Sequence, residues 1–367
     1  MLVKQTKAER HARGFTSWSQ FVSMLFCQFG HAFSLREIAG GLRSCEGKLK
    51  HLGISAPSHS TLAYANEHRP WQLYQLLFLK LLERCHAQLD LGKHKFRFNN
   101  KLISLDSSTI DLCLEIFNWA HFRRAKGAIK LHLLLDHDGY LPTFAIITEG
   151  HISDISVARQ FHFEPYTIVV DDRGYNDYIL FGRWTANHIY FVTRMKDNAV
   201  YKVVKKNRVP LNRHILKDEI IELSGVGAYE KCPYQLRRVE FYNVEKKETL
   251  VFLTNHLKLG ASTIAAIYKD RWQIEIFFKA LKQNLKIKTF VGTSANAVKI
   301  QIWTALIAML ILRFLQLRSK YGWSLSNLVA LLRMNLFTHR DLWAWINHPF
   351  EVLPEQYESE QLRMEMF

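Results

Sequence analysis

The sequence predicts a mixed α/β fold in which helices flank a sheet, a helical region precedes the sheet, and a β-rich insertion interrupts it. Apolar residues recur at helical spacing over residues 15–95, which indicates a helical N-terminal region. From about residue 100, apolar runs of strand length replace that spacing and alternate with helical stretches. Residues 197–249 alternate polar and apolar side chains and carry many Lys and Arg residues, which indicates a basic, β-rich insertion.

The N-terminal region is predicted to contain four helices. The first covers residues 18–29, and Ser34 with Glu37 three residues later forms a capping box that opens the second. A third lies within residues 58–70, and a fourth runs from Pro70 to about Leu89. The second and third, joined by a Gly/Pro turn, fit either a helix-turn-helix or a plain helical bundle. The basic residues that favour contact with DNA are Arg36, Arg43, Lys48, Lys50, His51, His59 and Arg69.

A sheet with two helices is predicted between residues 96 and 196. The hairpin sequence Asp-His-Asp-Gly at 136–139 joins the second and third strands, and helices near 154–161 and 175–185 alternate with the later ones. The predicted strands are Lys101–Asp106, Lys130–Leu135, Leu141–Thr148, Thr167–Asp172 and His188–Met195.

Helices are predicted again after the insertion, whose last strand is residues 250–255. One continuous helix covers about 262–285, and two more cover about 295–318 and 325–333. The apolar run Ile302–Leu312 is too short to span a bilayer, so we expect a buried helix there.

Three carboxylates from separate elements are predicted to meet at one edge of the sheet. Asp106 ends the first strand, Asp172 ends the fourth, and Glu275 lies on the long late helix. Carboxylates that close together repel each other unless a cation neutralises them. Oxygen ligands favour Mg²⁺ or Mn²⁺, and two such ions can activate an attacking oxygen and stabilise a leaving oxygen in phosphoryl transfer.

Each acid also has a purely structural interpretation. Asp106 can open an Asx turn, and Asp172 can cap a helix. Asp171 competes with Asp172, because strand alternation allows only one of them to face the metal ions.

The segment from Tyr268 to Lys282 places functional side chains on one stripe of a helix. At about 100° per residue, Tyr268, Arg271, Glu275 and Lys282 fall within about 60° of each other, along the edge of the apolar face. Such a stripe suits holding a metal ion against a phosphate, with Arg271 and Lys282 on phosphates. The alternative is an ordinary Arg271–Glu275 ion pair on a surface helix.

The charge and the cysteines narrow the functional class. The formal net charge of +16 points to a polyanionic partner, by default nucleic acid. No basic amphipathic terminal helix or lipidation signal favours a membrane surface instead. Five scattered cysteines without a CxxC pattern argue against a disulfide framework or a zinc knuckle. Reduced thiols and the lack of a signal peptide predict a cytoplasmic protein.

The combined pattern resembles bacterial DDE transposases of the insertion-sequence four family, in a subgroup with a helical N-terminal domain. The resemblance runs from about residue 15 to 320. Tyr268, Arg271, Glu275 and Lys282 meet the family signature of Tyr, two residues, Arg, three residues, Glu, six residues and Lys. The other matching segments are Leu35–Ile38, His51–Gly53, Ser60–Asn66, Asp106–Thr109 and Asp172 before Arg-Gly-Tyr, which selects Asp172 over Asp171.

The resemblance implies an RNase H-like catalytic domain and cut-and-paste transposition. Asp106, Asp172 and Glu275 are then the catalytic metal ligands for two Mg²⁺ or Mn²⁺ ions, and Tyr268, Arg271 and Lys282 contact DNA phosphates near the transposon end. The partners implied are transposon-end and target DNA and a second copy in a homodimeric synaptic complex. The insertion lacks the Trp that would hold a flipped base, and its candidate substitutes are Tyr201, Tyr229, Tyr234, Phe241 and Tyr242.

The sequence also leaves two alternative functions open and predicts five parts of the chain. The alternatives are a catalytically inactive DNA-binding regulator derived from a transposase and an RNase H-like nuclease without strand transfer. The expected parts are a helical DNA-binding domain (1–95), the first part of the catalytic core (96–196), the β-rich insertion (197–255), the second part of the core with the Glu helix (256–320) and a C-terminal helical tail (321–367).

Overall fold

A ten-stranded mixed sheet forms the centre of the computed structural model, which describes residues 1–351 except 11, 90–94, 114, 118, 124–125, 212 and 339. The predicted tail beyond residue 351 and the end of the predicted N-terminal domain at 90–94 lie outside the described residues. The strands are β1 (Leu102–Leu112), β2 (His121–Arg123), β3 (Lys126–Asp136), β4 (Leu141–Glu149), β5 (Ile168–Val170), β6 (Tyr190–Arg194), β7 (Tyr201–Lys206), β8 (Ile215–Leu223), β9 (Leu236–Asn243) and β10 (Glu248–Thr254).

Helices lie before, between and after these strands. Short 3₁₀ helices cover Lys50–Leu52 and Arg173–Tyr175. The α-helices of the described residues are α1 (Leu2–Thr6), α2 (Ser17–Phe29), α3 (Leu35–Ser44), α4 (Glu46–Leu49), α5 (His59–His68), α6 (Gln72–Gln88), α7 (Asp154–Ala158), α8 (Tyr178–Ala186), α9 (Ala228–Lys231), α10 (Ala261–Asp270), α11 (Trp272–Asn284), α12 (Ala295–Arg318), α13 (Leu325–Met334) and α14 (Leu342–Asn347).

Apart from the peripheral β2, the first strands have the order β4-β3-β1-β5-β6, which agrees with the RNase H-like fold that the resemblance implies. β1, β3 and β4 are antiparallel, whereas β5 runs parallel to both β1 and β6. α7 precedes β5, and α8 joins β5 to β6. β5 pairs with β1 only as far as Ser104, so within the described structure no strand pairs with β1 on that side from Leu105 onward. Asp106 lies just past this point, and Asp171 follows Val170 at the end of β5. The topology therefore brings the acids of both strands to one edge.

β1 is longer than predicted, and Asp106 lies in the middle of it. Residues 107–112 continue the antiparallel ladder with residues 127–132 of β3, and Asp106 is opposite Leu133. The expectation that the strand ends at Asp106 was therefore wrong, and so was the Asx-turn alternative. Ser and Thr are compatible with a strand, and the long partner strand supplies the hydrogen bonds that a turn would otherwise make.

The insertion extends the central sheet. β10 pairs antiparallel with β6, with Phe252 opposite Arg194, and β9, β8 and β7 follow in that order. Arg237 donates hydrogen bonds of 2.8 and 2.6 Å to the Asp218 carboxylate, and this buried pair ties β9 to β8. The β-rich character predicted from alternation is confirmed. The four strands of the insertion continue the central sheet beyond β6.

The N-terminal helices pack on α12 in a single bundle. α12 contacts α2, α5 and α6, and the rings of Phe78 and Trp303 lie 5.5 Å apart in their common core. The predicted capping box is present, because Ser34 Oγ accepts a hydrogen bond of 3.2 Å from the Glu37 N–H. Residues 45–58, including α4, separate α3 from α5, a longer connection than the three or four residues of a helix-turn-helix. The observed arrangement matches the helical-bundle alternative.

α12 is the buried helix that the apolar run predicts. Within the described part of the chain it is the one helix long and apolar enough to cross a membrane by length and composition. Its apolar window is 78% buried inside the protein, which is typical of the core helix of a globular fold.

The predicted helix over 262–285 is in fact two helices that meet at Arg271. α10 ends at Asp270 and α11 begins at Trp272, although Arg271 itself keeps helical backbone angles. Sequence periodicity could not show this junction, because neither Gly nor Pro marks it. The signature residues Tyr268 and Glu275 therefore lie on different helices.

Gln301 in α12 ties down the loop that follows α11. Its amide donates to the backbone oxygens of Lys286 (2.7 Å) and Thr289 (2.8 Å) and accepts from the N–H of Val291 (3.0 Å). Gln301→Leu would leave these groups unpaired in the core, so we expect a loss of about 3 kcal/mol in the free energy of unfolding, measured with urea. Gln72→Leu, at an exposed position, is the control. An equal change in both variants would contradict the assignment.

Candidate catalytic site

Asp106 is a half-buried carboxylate at the edge of the sheet. Its side chain is 19% exposed, and Oδ1 accepts a hydrogen bond of 2.8 Å from the Ser107 N–H. Burial raises the pKa of Asp106 to about 7, although the Ser107 N–H and the Arg271 guanidinium lower it. The carboxylates of Asp172 and Glu275 add to the increase. Three acids predicted from separate elements thus lie close enough to act on one another electrostatically.

Asp172 is held at the turn after β5. Its Oδ1 accepts a hydrogen bond of 2.7 Å from the Gly174 N–H, and Thr193 Oγ1 donates to its backbone oxygen at 3.2 Å. A Cβ at position 174 would lie 2.8 Å from Oδ1, so a larger residue there would force the Asp172 carboxylate to shift. The capping interpretation of Asp172 is therefore correct in local structure, and it leaves Oδ2 with no hydrogen-bond partner among the described residues.

Asp171 has the opposite environment. The residue is 0% exposed, and neither carboxylate oxygen has a hydrogen-bond partner within the described structure. Burial raises the pKa of Asp171 well above its ordinary value, and the neighbouring Asp172 carboxylate raises it further. The carboxyl group of Asp171 is thus enclosed by the protein, whereas Asp172 is partly exposed.

The guanidinium of Arg271 lies between two of the acids. Nη2 donates a hydrogen bond of 2.6 Å to Glu275 Oε1, and Nη1 lies 3.7 Å from Asp106 Oδ2. Its side chain is 11% exposed, and its Cζ lies 5.5 Å from the centroid of the Tyr268 ring. The Arg271–Glu275 ion pair, which the sequence analysis gave as the alternative role of Arg271, is therefore present in the structure.

The arrangement is not a ready-made metal site. Among the described residues, no group of three His, Cys, Asp or Glu side chains is close enough to bind a metal ion as it stands. The Arg271 guanidinium occupies the space between Asp106 and Glu275 and neutralises them as a cation. The donors are all carboxylate oxygens, and Asp106 and Glu275 already hold a cation, so these residues would fit a hard divalent ion once the guanidinium moves.

Tyr268 borders a cleft of about 900 Å³ between the insertion and the α10–α11 junction. Its ring packs on Phe252 with centroids 4.7 Å apart. Of the five aromatic candidates in the insertion, Phe241 and Tyr242 line this cleft, and the other three are not among its lining residues. Trp272, which the sequence analysis missed, also lines it, with 52% of its surface exposed. The signal was its position directly after the Arg of the signature.

Lys282 lies at the far end of a basic groove. Its Nζ donates a hydrogen bond of 2.9 Å to the backbone oxygen of Thr109 on β1. A groove of about 380 Å³ joins Lys282 to Asp106 and Glu275. Lys279 and Lys288 line the same groove and were missed, because one lies off the predicted stripe and the other lies beyond the helix end.

Comparison with known proteins agrees with this geometry. The model of the transposase DDE domain matches residues 98–311, which contain all three acids and the complete signature. The chain belongs to the DDE transposase family. A second family model, a domain of unknown function, matches residues 1–55. Transposases of this family cut DNA and transfer its strands with the help of divalent metal ions.

Individual relatives of this chain are also named as transposases. A protein of Sinorhizobium fredii named as a transposase is 32% identical over 82% of this chain and 83% of its own length. A protein of Geobacillus stearothermophilus, named as the transposase for insertion sequence element IS5377, is 27% identical over 73% of this chain and 70% of its own. Among solved structures, a piggyBac transposase synaptic complex with hairpin DNA has a TM-score of 0.38 and 9% identity, over 92% of this chain and 74% of that chain. A likeness that distant does not establish a shared fold.

The raised pKa of Asp106 makes stability depend on pH. Its folded-state pKa of about 7 exceeds the ordinary value of 3.8, so the unfolded chain ionises first as the pH rises. The stabilising contribution of this group is complete below about pH 4 and is lost by pH 7. We therefore compare the free energy of unfolding of Asp106→Asn with that of the natural chain, measured by denaturation with a chelator present. As the pH rises from 4.5 to 7.5, the difference should change in favour of the variant by on the order of 1–3 kcal/mol. A difference between the two proteins that does not vary with pH would contradict this.

Proposed function

We propose that this transposase moves an insertion sequence by cut-and-paste transposition, cutting at the inverted-repeat ends and joining the freed 3′ ends to target DNA. The observation that carries the proposal is the proximity of Asp106 and Glu275 on either side of the Arg271 guanidinium, with Asp172 just beyond the end of the adjacent strand β5. Such a charge cluster is costly to maintain for structure alone, and suits binding cations beside a phosphodiester.

Asp106, Asp172 and Glu275 are proposed to hold two Mg²⁺ or Mn²⁺ ions. When bound, such ions activate the attacking oxygen and stabilise the leaving oxygen of a phosphodiester. The protein contributes fixed positions: β1 carries Asp106, the Gly174 N–H orients Asp172, and the first turn of α11 presents Glu275. Asp171 is proposed to have no ligand role, because its carboxyl group is fully buried.

The DNA backbone is proposed to follow the basic groove. Lys282, Lys279 and Lys288 line it next to the acids, and a lysine contacts a phosphate as a point charge. Arg271 leaves its carboxylates to grip a phosphate when the acids are otherwise neutralised, with Tyr268 beside it. The net charge of +16 supplies the wider attraction.

The cleft next to the site is proposed to accept a base turned out of the duplex. Aromatic rings at Phe241, Tyr242 and Trp272 offer stacking surfaces, which suit any base. Lys246 lies 5.4 Å from the Trp272 ring and adds positive charge at the rim.

The remaining assignments complete the proposal. Residues 1–95 act as the DNA-binding domain, 96–196 and 256–320 as the catalytic core, and 197–255 as the insertion, with 321–367 as the tail. Two copies hold the two transposon ends in a synaptic complex, in the cytoplasm and on the nucleoid. An inactive regulator is less favoured, because all three acids and the full signature are present. A nuclease without strand transfer is less favoured, because the long basic insertion and the basic groove suit a reaction on two DNA ends.

Removing the charge of any one acid should separate catalysis from binding. We expect Asp106→Asn, Asp172→Asn and Glu275→Gln each to reduce cleavage of end DNA by on the order of a hundredfold or more, because each removes a cation ligand. End binding, measured by gel shift, should remain near normal.

Asp171→Asn is the matched control for these variants. It replaces a fully buried carboxyl group with an amide of the same size, so cleavage should fall only slightly. If Asp171→Asn eliminates cleavage while Asp172→Asn does not, the second ligand is wrongly assigned.

Arg271 and Lys282 should affect cations and DNA differently. Arg271→Ala removes the guanidinium from between Asp106 and Glu275, so Mn²⁺ affinity without DNA should rise by about threefold or more, by calorimetry. Lys282→Ala removes one charge from the same groove without touching a carboxylate and should leave that affinity unchanged. Both variants should weaken end binding. Weaker Mn²⁺ binding in Arg271→Ala than in the natural chain would exclude this role.

A further inference from the structure

A buried chain of hydrogen bonds runs from Ser104 through His137 to Asp270. Ser104 Oγ lies 2.7 Å from His137 Nε2, and His137 Nδ1 lies 2.5 Å from Asp270 Oδ2. The order is that of a hydrolase triad, but Ser104 is 0% exposed and offers no surface to a substrate. These hydrogen bonds therefore have a role other than nucleophilic catalysis.

Asp270 is a charged and fully paired anchor. Lys95 Nζ pairs with its Oδ1, and the Tyr140 hydroxyl donates to Oδ2 at 3.2 Å. Burial alone would raise the pKa of Asp270, but the hydrogen bonds from His137 and Lys95 lower it below its usual range. A buried carboxylate held by this many donors has one well-defined position.

The hydrogen bonds from Ser104 to Asp270 connect β1 to the α10–α11 junction, and so does the ion pair of Asp106 and Arg271. Ser104 and Asp106 are two residues apart on β1, so their side chains point to the same side of the strand. Asp270 and Arg271 are neighbours at the junction of α10 and α11. One link between strand and junction is Ser104–His137–Asp270, and the other is Asp106–Arg271 at 3.7 Å.

We infer that Ser104, His137 and Asp270 are positioning residues for the transposition reaction, which hold the junction so that Arg271 meets Asp106, Glu275 and the DNA. The inference rests on the proposed role of Arg271 at DNA phosphates. A small displacement of a side chain that grips a phosphate or neutralises a reacting group is costly, because these contacts depend on geometry.

The first test is a double-mutant cycle on end-DNA binding. Asp270→Asn and Ser104→Ala should each weaken binding by about three- to tenfold in the natural chain and have no effect in an Arg271→Ala background, because they act through Arg271. Ser104→Ala removes only one hydroxyl and keeps the test informative if Asp270→Asn does not fold. Equal losses in both backgrounds would overturn the inference.

Two controls separate positioning from stability. Asp218→Asn breaks the buried pair with Arg237 in the insertion, so it should lower Tm much as Asp270→Asn does. Its effect on end binding should be the same with and without Arg271. Tyr140→Phe removes one donor to Asp270 but leaves the chain intact, so end binding should stay near normal.

The second test needs no DNA and so separates this inference from the proposed function. Trp272 directly follows Arg271, and in protein labelled with 5-fluorotryptophan its ¹⁹F resonance is identified by its loss in Trp272→Phe. Asp270→Asn and Ser104→Ala should shift that resonance, and Asp218→Asn should not. An unshifted Trp272 resonance in both variants would overturn the inference. A shifted resonance, with Arg271→Ala binding end DNA normally, would count against the phosphate role alone.

Discussion

The repulsion among Asp106, Asp172 and Glu275 is the constraint on which the rest of the site depends. Half-buried carboxylates at one sheet edge cannot all stay charged without a cation near them. The protein meets part of this demand with the guanidinium of Arg271, 2.6 Å from Glu275 and 3.7 Å from Asp106. Burial is the main cause of the raised pKa of Asp106, and the carboxylates of Asp172 and Glu275 raise it further, to about 7. In the proposed mechanism, divalent ions would supply the missing positive charge and would compete with Arg271 for the carboxylates.

Because of this competition, binding of divalent ions and binding of DNA phosphate would be positively coupled. In the proposed mechanism, a divalent ion would release Arg271 from the carboxylates, and a DNA phosphate would offer the released guanidinium a new partner. Each event would lower the cost of the other, and linkage requires this coupling to be reciprocal. The helix junction at Arg271 would suit this exchange, because the neighbouring Asp270 is buried and hydrogen-bonded to His137, while Arg271 contacts Glu275 and also lines the cleft beside Tyr268.

Much of the fold could be predicted from sequence because it rests on local patterns. The capping box at Ser34, the hairpin before Leu141 and the limits of α12 follow from short-range rules, and the structure confirms them. The length of β1 could not be predicted, since Asp106 to Leu112 is polar enough for a turn and becomes a strand only by pairing with β3. The helix junction at Arg271 was missed for a similar reason. It is marked by contacts of Asp270 with residues far away in the chain, and helical periodicity does not register these.

At the site, the strand ends and the family signature led to the prediction of the acids, but only the tertiary structure showed what surrounds them. Crystals soaked in Mn²⁺ and measured by anomalous diffraction at the manganese edge test the central claim most directly. The account predicts manganese peaks about 2.0–2.3 Å from carboxylate oxygens of Asp106, Asp172 and Glu275, with the Arg271 guanidinium displaced towards Tyr268. Manganese bound at Asp171 or elsewhere, with Arg271 still between Asp106 and Glu275, would contradict it.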